Sequence, residues 1–197
     1  LISDHDCLPF ENYSKFSKYP KNCKDVAIVA IEAASKIPSI KKVFINSYAP
    51  LGERGFRKLR LNDLSNPGSN KTQQEMFVDG YSKLVSSLIE VGKEVIFVLD
   101  VPKLEHEPKY CVERPFKGVP KNCSFDRENI LEKQNIYREK VREIHEKNPK
   151  LKIFDSLDVF CDENKCQMRE NDKIYYFDKH HLSLSGSKKL LGELLNF

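Results

Sequence analysis

The chain has 197 residues, 40% hydrophobic and 31% charged, with a mean hydropathy of −0.54. That composition excludes a disordered chain and a membrane-embedded one, and the length supports a real core rather than a disulfide-only miniprotein. The 33 basic and 29 acidic residues leave a net charge of +4 spread along the sequence, a mild solubility term with no nucleic-acid footprint.

From Asp25 to Ile37 one face carries Val26, Val29, Ala30, Ala33 and Ile37, which predicts a short amphipathic helix. Lys42 to Asn46 (KVFIN) follows as a buried strand. Ser47 to Asn70, with Pro50, Gly52, Gly55, Pro67 and Gly68, shows no period and predicts a long functional loop. Thr72 and Glu75 form a capping-box pattern, opening a helix whose apolar stripe runs from Met76 to Val91. Glu94 to Leu99 (EVIFVL) is a continuous apolar run, expected of a strand covered on both faces, and Asp100-Val101-Pro102 ends it. A second long loop holds Pro108, Pro115 and Pro120. A helix is then predicted from Asp126 to about Lys147 and a strand from Leu151 to Phe154. A tight turn at Cys161 to Cys166, an extended piece from Lys173 to Phe177 and an amphipathic helix from Leu182 to Leu195 complete the chain. Strands alternating with helices predict an α/β fold with a parallel sheet, in one domain without internal repeats.

Six cysteines fall in sequence as three close pairs, each bracketing a polar loop. They read as three short-range disulfides, Cys7–Cys23, Cys111–Cys123 and Cys161–Cys166, and place the chain in an oxidising compartment. The competing reading, free thiols or zinc, lacks a CxxC pair and a partner of zinc-ribbon spacing. The sequence shows no signal peptide and no apolar run long enough to span a bilayer. It opens on Leu1, so a larger or processed protein is expected.

In an open α/β sheet the site lies beyond the carboxyl ends of the strands. That singles out Asn46-Ser47-Tyr48, Asp100-Val101-Pro102, Asp155-Ser156 and the segment Asp178 to Ser183. Asp178 and His181 are three residues apart, a spacing that sets two side chains side by side on a helical turn. A carboxylate there fixes the imidazole tautomer and leaves the other ring nitrogen to take a proton from a nucleophile. The competing reading makes Asp178 the N-cap of the last helix and His181 a partly buried packing residue. His180 is expected to be exposed. His106, between Glu105 and Glu107, is read as solvated, and no metal is expected. The lysines from Ser14 to Lys24 and the basic residues from Arg54 to Arg60 are read as a solvated face, with attraction of an anionic glycan as the alternative.

Taken in order, SDHDCLP near the start, KKVFINSY, EVIFVLDVP, KIFDSLDVFCDENKC and KIYYFDKHHLSLSGSKKL resemble the SGNH-hydrolase-like domain fused to membrane-bound acyltransferase-3-type O-acyltransferases. Those proteins are bacterial acetylases of cell-surface polysaccharides and peptidoglycan. The resemblance covers essentially the whole chain and implies a three-layer α/β/α flavodoxin-like fold, a mostly parallel sheet and the three local disulfides. It makes Asp178 and His181 the acid and base of a Ser-His-Asp triad. The family's Gly-Asp-Ser nucleophile motif is absent from the sequence. The domain, 1–197, is therefore expected to lack its first βα unit, roughly thirty residues carrying the nucleophile strand. In a 2-1-3-4-5 strand order that strand would be interior, beside Lys42 to Asn46.

The family's Gly-x-Asn block corresponds to Ile45-Asn46-Ser47-Tyr48, which makes the Asn46 amide a candidate oxyanion donor, with a plain turn residue as the alternative. Tyr48, where relatives carry tryptophan, either lines an acyl or sugar site or packs. The implied function is acyl, and specifically acetyl, transfer to a cell-surface glycan hydroxyl. No cofactor is expected in this domain, because acetyl-CoA would serve the attached N-terminal membrane domain. The implied location is periplasmic, tethered to the inner membrane. A carbohydrate esterase and a non-catalytic glycan-binding domain are the alternative readings.

Overall fold

The computed structural model describes residues 8–15, 23–112 and 123–197. In chain order its elements are β1 (Tyr13–Lys15), α1 (Cys23–Lys36), β2 (Lys42–Asn46), α2 (Gly52–Arg57), β3 (Leu61–Asp63), α3 (Gln73–Glu90) and β4 (Glu94–Val98). A 3-10 turn at Pro108–Cys111 precedes β5 (Ser124–Asp126), α4 (Arg127–Lys147), β6 (Lys152–Phe154) and α5 (Leu157–Phe160). Then come β7 (Lys165–Gln167), β8 (Arg169–Glu170), β9 (Lys173–Ile174) and α6 (Leu184–Asn196). Contacts divide the chain into two compact units, one within Leu1–Val98 and Gln134–Ile153, the other within Leu99–Lys133 and Phe154–Phe197.

The first unit is organised by a sheet of order β2-β4-β6. β2 runs parallel to β4, with Lys42 opposite Glu94 and Asn46 opposite Val98. Val95, Ile96 and Phe97 are wholly buried, as a central strand of continuous apolar sequence requires. β2 was expected to be buried, but only its Ile45 side chain is, because no strand pairs with its outer edge among the described residues. α3 opens on a formed capping box. The Thr72 hydroxyl accepts from the Glu75 N–H at 3.2 Å and the Glu75 carboxylate accepts from the Thr72 N–H at 2.7 Å. Its buried face carries Phe77, Tyr81, Leu84 and Leu88. The Gln73 side chain clamps β3, donating to the Leu61 carbonyl at 2.9 Å and accepting from the Leu61 N–H at 2.5 Å.

The second unit is built around buried Leu104, Phe125, Ile130, Leu157, Phe160, Met168, Tyr175 and Tyr176. β5 pairs antiparallel with β7, and β8 with β9. Two disulfides close its loops, Cys111–Cys123 and Cys161–Cys166, pairings that agree with those read from sequence. The third expected pair, Cys7–Cys23, lies outside the described residues.

Several expectations need correction. The 47–70 stretch contains α2 and β3, held by the buried side chains of Phe56 and Leu61. Elements of three to six residues are too short for a period to show. β5 and α5 escape notice for the same reason. The last helix begins at Leu184, and its N-cap is Ser183, so Asp178 does not cap it.

Candidate active site

The segment from Tyr175 to Gly186 is a tight hairpin that turns into a helix. Tyr176 and Leu182 form an antiparallel bridge, flanked by backbone bonds from the Ser183 N–H to the Tyr175 carbonyl at 2.9 Å and from the Phe177 N–H to the His181 carbonyl at 2.8 Å. The apolar pair Tyr176 and Leu182 faces the core, with Tyr176 only 3% exposed and Leu182 packed against the same cluster. Ser183 finishes the hairpin and starts α6. Its hydroxyl donates to the Ile174 carbonyl at 2.5 Å and accepts from the Gly186 N–H at 3.2 Å. A Cβ at Gly186 would lie 2.0 Å from the Tyr175 carbonyl oxygen, so only glycine lets the first turn of α6 approach the strand this closely.

Between the two arms of the hairpin, Asp178 organises the loop. Its Oδ1 accepts the backbone N–H groups of both His180 and His181 at 2.8 Å. Its Oδ2 stands 2.7 Å from His181 Nδ1. The pair is thus made in a turn, not on the helical turn expected from the spacing. Partial burial pushes the Asp178 carboxyl up. The His180 N–H, the His181 ring and the His181 N–H outweigh it and hold the group well below the usual carboxylate range. An ionised Asp178 accepts Nδ1–H of His181 and leaves Nε2 as the basic ring nitrogen. The His181 side chain is 61% exposed, so that nitrogen is open to a reacting group, and the ring is not a packing residue.

His180 is half buried rather than exposed. Its ring centroid lies 4.2 Å from that of His181, and its Nδ1 is 3.5 Å from Asp178 Oδ1. Asp178, His180 and His181 each bring a donor atom within 4.8 Å of one another. A borderline transition metal would have to compete for the atoms that make the Asp178–His181 hydrogen bond. The loop after β4 supports the hairpin. The Leu104 N–H donates to the Lys179 carbonyl at 2.8 Å, and the Lys179 ammonium to the Glu105 carbonyl at 3.0 Å. Asp100 lies near the start of that loop, and its carbonyl accepts the hydroxyl of wholly buried Ser156 at 2.9 Å. Burial, with the Asp100 charge adding to it, pushes the Tyr176 phenol far up, so it stays neutral.

The structure brings Asp178 and His181 together, and it places the other two candidates, Asn46 and Tyr48, at the end of β2 in the first unit. The Asn46 amide donates to the Val98 carbonyl at 3.0 Å, tying the ends of paired strands. Tyr48 is more than half exposed. His106 lies against the Phe125 ring with a centroid separation of 5.2 Å, and so is less solvated than expected. The sequence reading takes Phe177 only as part of the family-like segment and gives it no role of its own. The one available signal was its place at the end of the extended piece predicted from Lys173 to Phe177, next to Tyr176.

No curated protein sequence matches the chain. Among solved structures, the periplasmic domain of a Salmonella ser. Paratyphi A lipopolysaccharide acetyltransferase shares its fold. That match has a TM-score of 0.60 at 15% identity and covers 95% of this chain and 67% of the other. The model of the SGNH domain fused to AT3 domains matches residues 1–196. With a match of that extent, the chain belongs to the family of SGNH domains that are fused to AT3 domains.

Proposed function

We propose that this domain is the extracytoplasmic part of an O-acetyltransferase and completes acetyl transfer to a hydroxyl of a cell-surface glycan. The observation that carries the reading is the 2.7 Å pairing of an ionised Asp178 with an exposed His181 imidazole in a chain of this family. The lipopolysaccharide acetyltransferase domain of like fold supports the substrate class, and fusion to AT3 domains supports an attached membrane acyltransferase as the source of the acyl group. Disulfides in the second unit fit a periplasmic location. No described helix is long and apolar enough to cross a membrane.

In this reading the nucleophile is a serine of the full-length protein outside the described residues. The serine Oγ–H gives its proton to His181 Nε2 as Oγ bonds to the acyl carbonyl carbon. The proton then passes to the departing group as the donor's bond to that carbon breaks. In the second half, the sugar hydroxyl gives its proton to Nε2 while its oxygen bonds to the acyl carbon. The proton returns to serine Oγ as the acyl-serine bond breaks. Asp178 stays ionised throughout, orienting the ring and stabilising the imidazolium.

Acetylation of the host cell's own surface polysaccharide by the full-length protein tests this. His181→Ala should lower transfer about 10²- to 10⁴-fold, with Asp178→Asn in the same direction. A fluorophosphonate should label one serine. Transfer by His181→Ala within three-fold of wild type, or labelling of no serine, would overturn the triad.

A further inference from the structure

Phe177 immediately precedes Asp178, and at 79% exposed it is the most exposed of the large apolar side chains described. Nothing in the packing of the second unit uses it. The core side of this arm of the hairpin is taken by Tyr176, which bridges to Leu182. Because Tyr176 and Leu182 face one another across the antiparallel arms, the next opposed pair is Phe177 and His181. The Phe177 N–H bond to the His181 carbonyl at 2.8 Å confirms the register. Side chains at opposed positions project from the same face, with Cβ atoms roughly 5 Å apart. The backbone register therefore sets Phe177, exposed along most of its side chain, opposite His181, whose side chain is 61% exposed.

We infer that Phe177 is the platform on which the acceptor sugar stacks, holding a pyranose ring so that its hydroxyl meets His181 Nε2. The inference rests on the proposed Ser-His-Asp reading and extends it by naming a specificity-determining residue. A pyranose offers a face of C–H groups that suits one flat ring, whereas a protein partner needs a broad patch, and Phe177 is followed by polar Asp178 and Lys179. A ring fixed on a hairpin that is bonded at both arms also loses little freedom when it is covered. Seating the sugar there would exclude water from the nitrogen that activates the acceptor, favouring transfer over hydrolysis of the acyl group.

The test uses full-length protein with the host cell's own surface polysaccharide as acceptor, comparing Phe177→Ala, Phe177→Leu, Phe177→Tyr and Phe177→Trp. The alanine variant should raise KM for polysaccharide on the order of ten-fold. Its kcat should stay within about three-fold of wild type, and more of the acyl group should pass to water. Tyrosine and tryptophan should restore KM, and leucine should not. Binding of the same polysaccharide to His181→Ala protein, weakened by adding Phe177→Ala, reports the platform without turnover and so separates it from the triad. An unchanged KM in the alanine variant would overturn the inference. So would full recovery by leucine, or unweakened binding in the double variant. Transfer retained by His181→Ala alone would instead strike the triad.

Discussion

In the first unit Tyr81 sits among Phe10, Phe77 and Phe97 with ring centroids 4.8, 4.8 and 5.0 Å away, and Phe56 and Tyr137 extend the cluster through Phe77. In the second unit the described disulfides close two loops, and the hairpin that carries Asp178 and His181 is fixed by bonds from carboxylate, hydroxyl and backbone groups. Edge-to-face rings supply much buried area but tolerate small displacements. Hydrogen bonds of 2.5–2.9 Å set direction and distance together. A proton-transfer pair needs the latter, so the dyad stands where geometry is set by bonds rather than by fill.

The sharpest way to break the contrast is to remove a ring from the first unit. Phe77 is wholly buried and meets Phe56, Tyr81 and Tyr137. Phe77→Ala should cost about 3–5 kcal/mol in chemical denaturation, the lost transfer free energy plus the cavity left behind. A cost under about 1 kcal/mol would show that the aromatic cluster does not hold this unit. Next in size is Gly186→Ala, where the added methyl would meet the Tyr175 carbonyl oxygen at 2.0 Å and force the first turn of α6 away from the hairpin. Overpacking of this kind costs about 1–3 kcal/mol. Because α6 starts from Ser183, the variant should lose transfer activity by more than its stability loss accounts for. Activity equal to wild type in the fraction that remains folded would separate α6 from the site.

The same contrast explains what could be read from sequence. The position of strand β2, though not its burial, the α3 capping box and the buried run of β4 were legible because each signal is local: a run, a period or a cap. The spacing of Asp178 and His181 pointed to a pair, yet the reason was wrong. The pair comes from a turn in which one carboxylate oxygen takes two successive N–H groups while the other takes the imidazole. α2 was illegible because its six residues bury little besides Phe56, and a lone aromatic in a Gly- and Pro-containing stretch carries no period. Phe177 was illegible because its exposure depends on the register of Tyr176 with Leu182, a pairing across the turn.

The smallest expected effect concerns Asp178 itself. Its carboxyl titrates below the usual range in the folded protein because the two backbone N–H groups and the His181 ring favour the charged form. A depressed folded value means that the group contributes stability above its unfolded value, about 4, and loses that contribution as pH falls through the folded value. Asp178→Asn should therefore lower the melting temperature at pH 7 by roughly 1–3 °C, as for a partly exposed ion pair in a chain of this size. The gap between wild type and variant should close as pH falls below about 4. A gap of constant size from pH 7 to pH 2 would mean that the loop is held by the shape of the side chain and not by its charge. In that case the contrast between directional bonds in the hairpin and packing in the first unit would lose its main support.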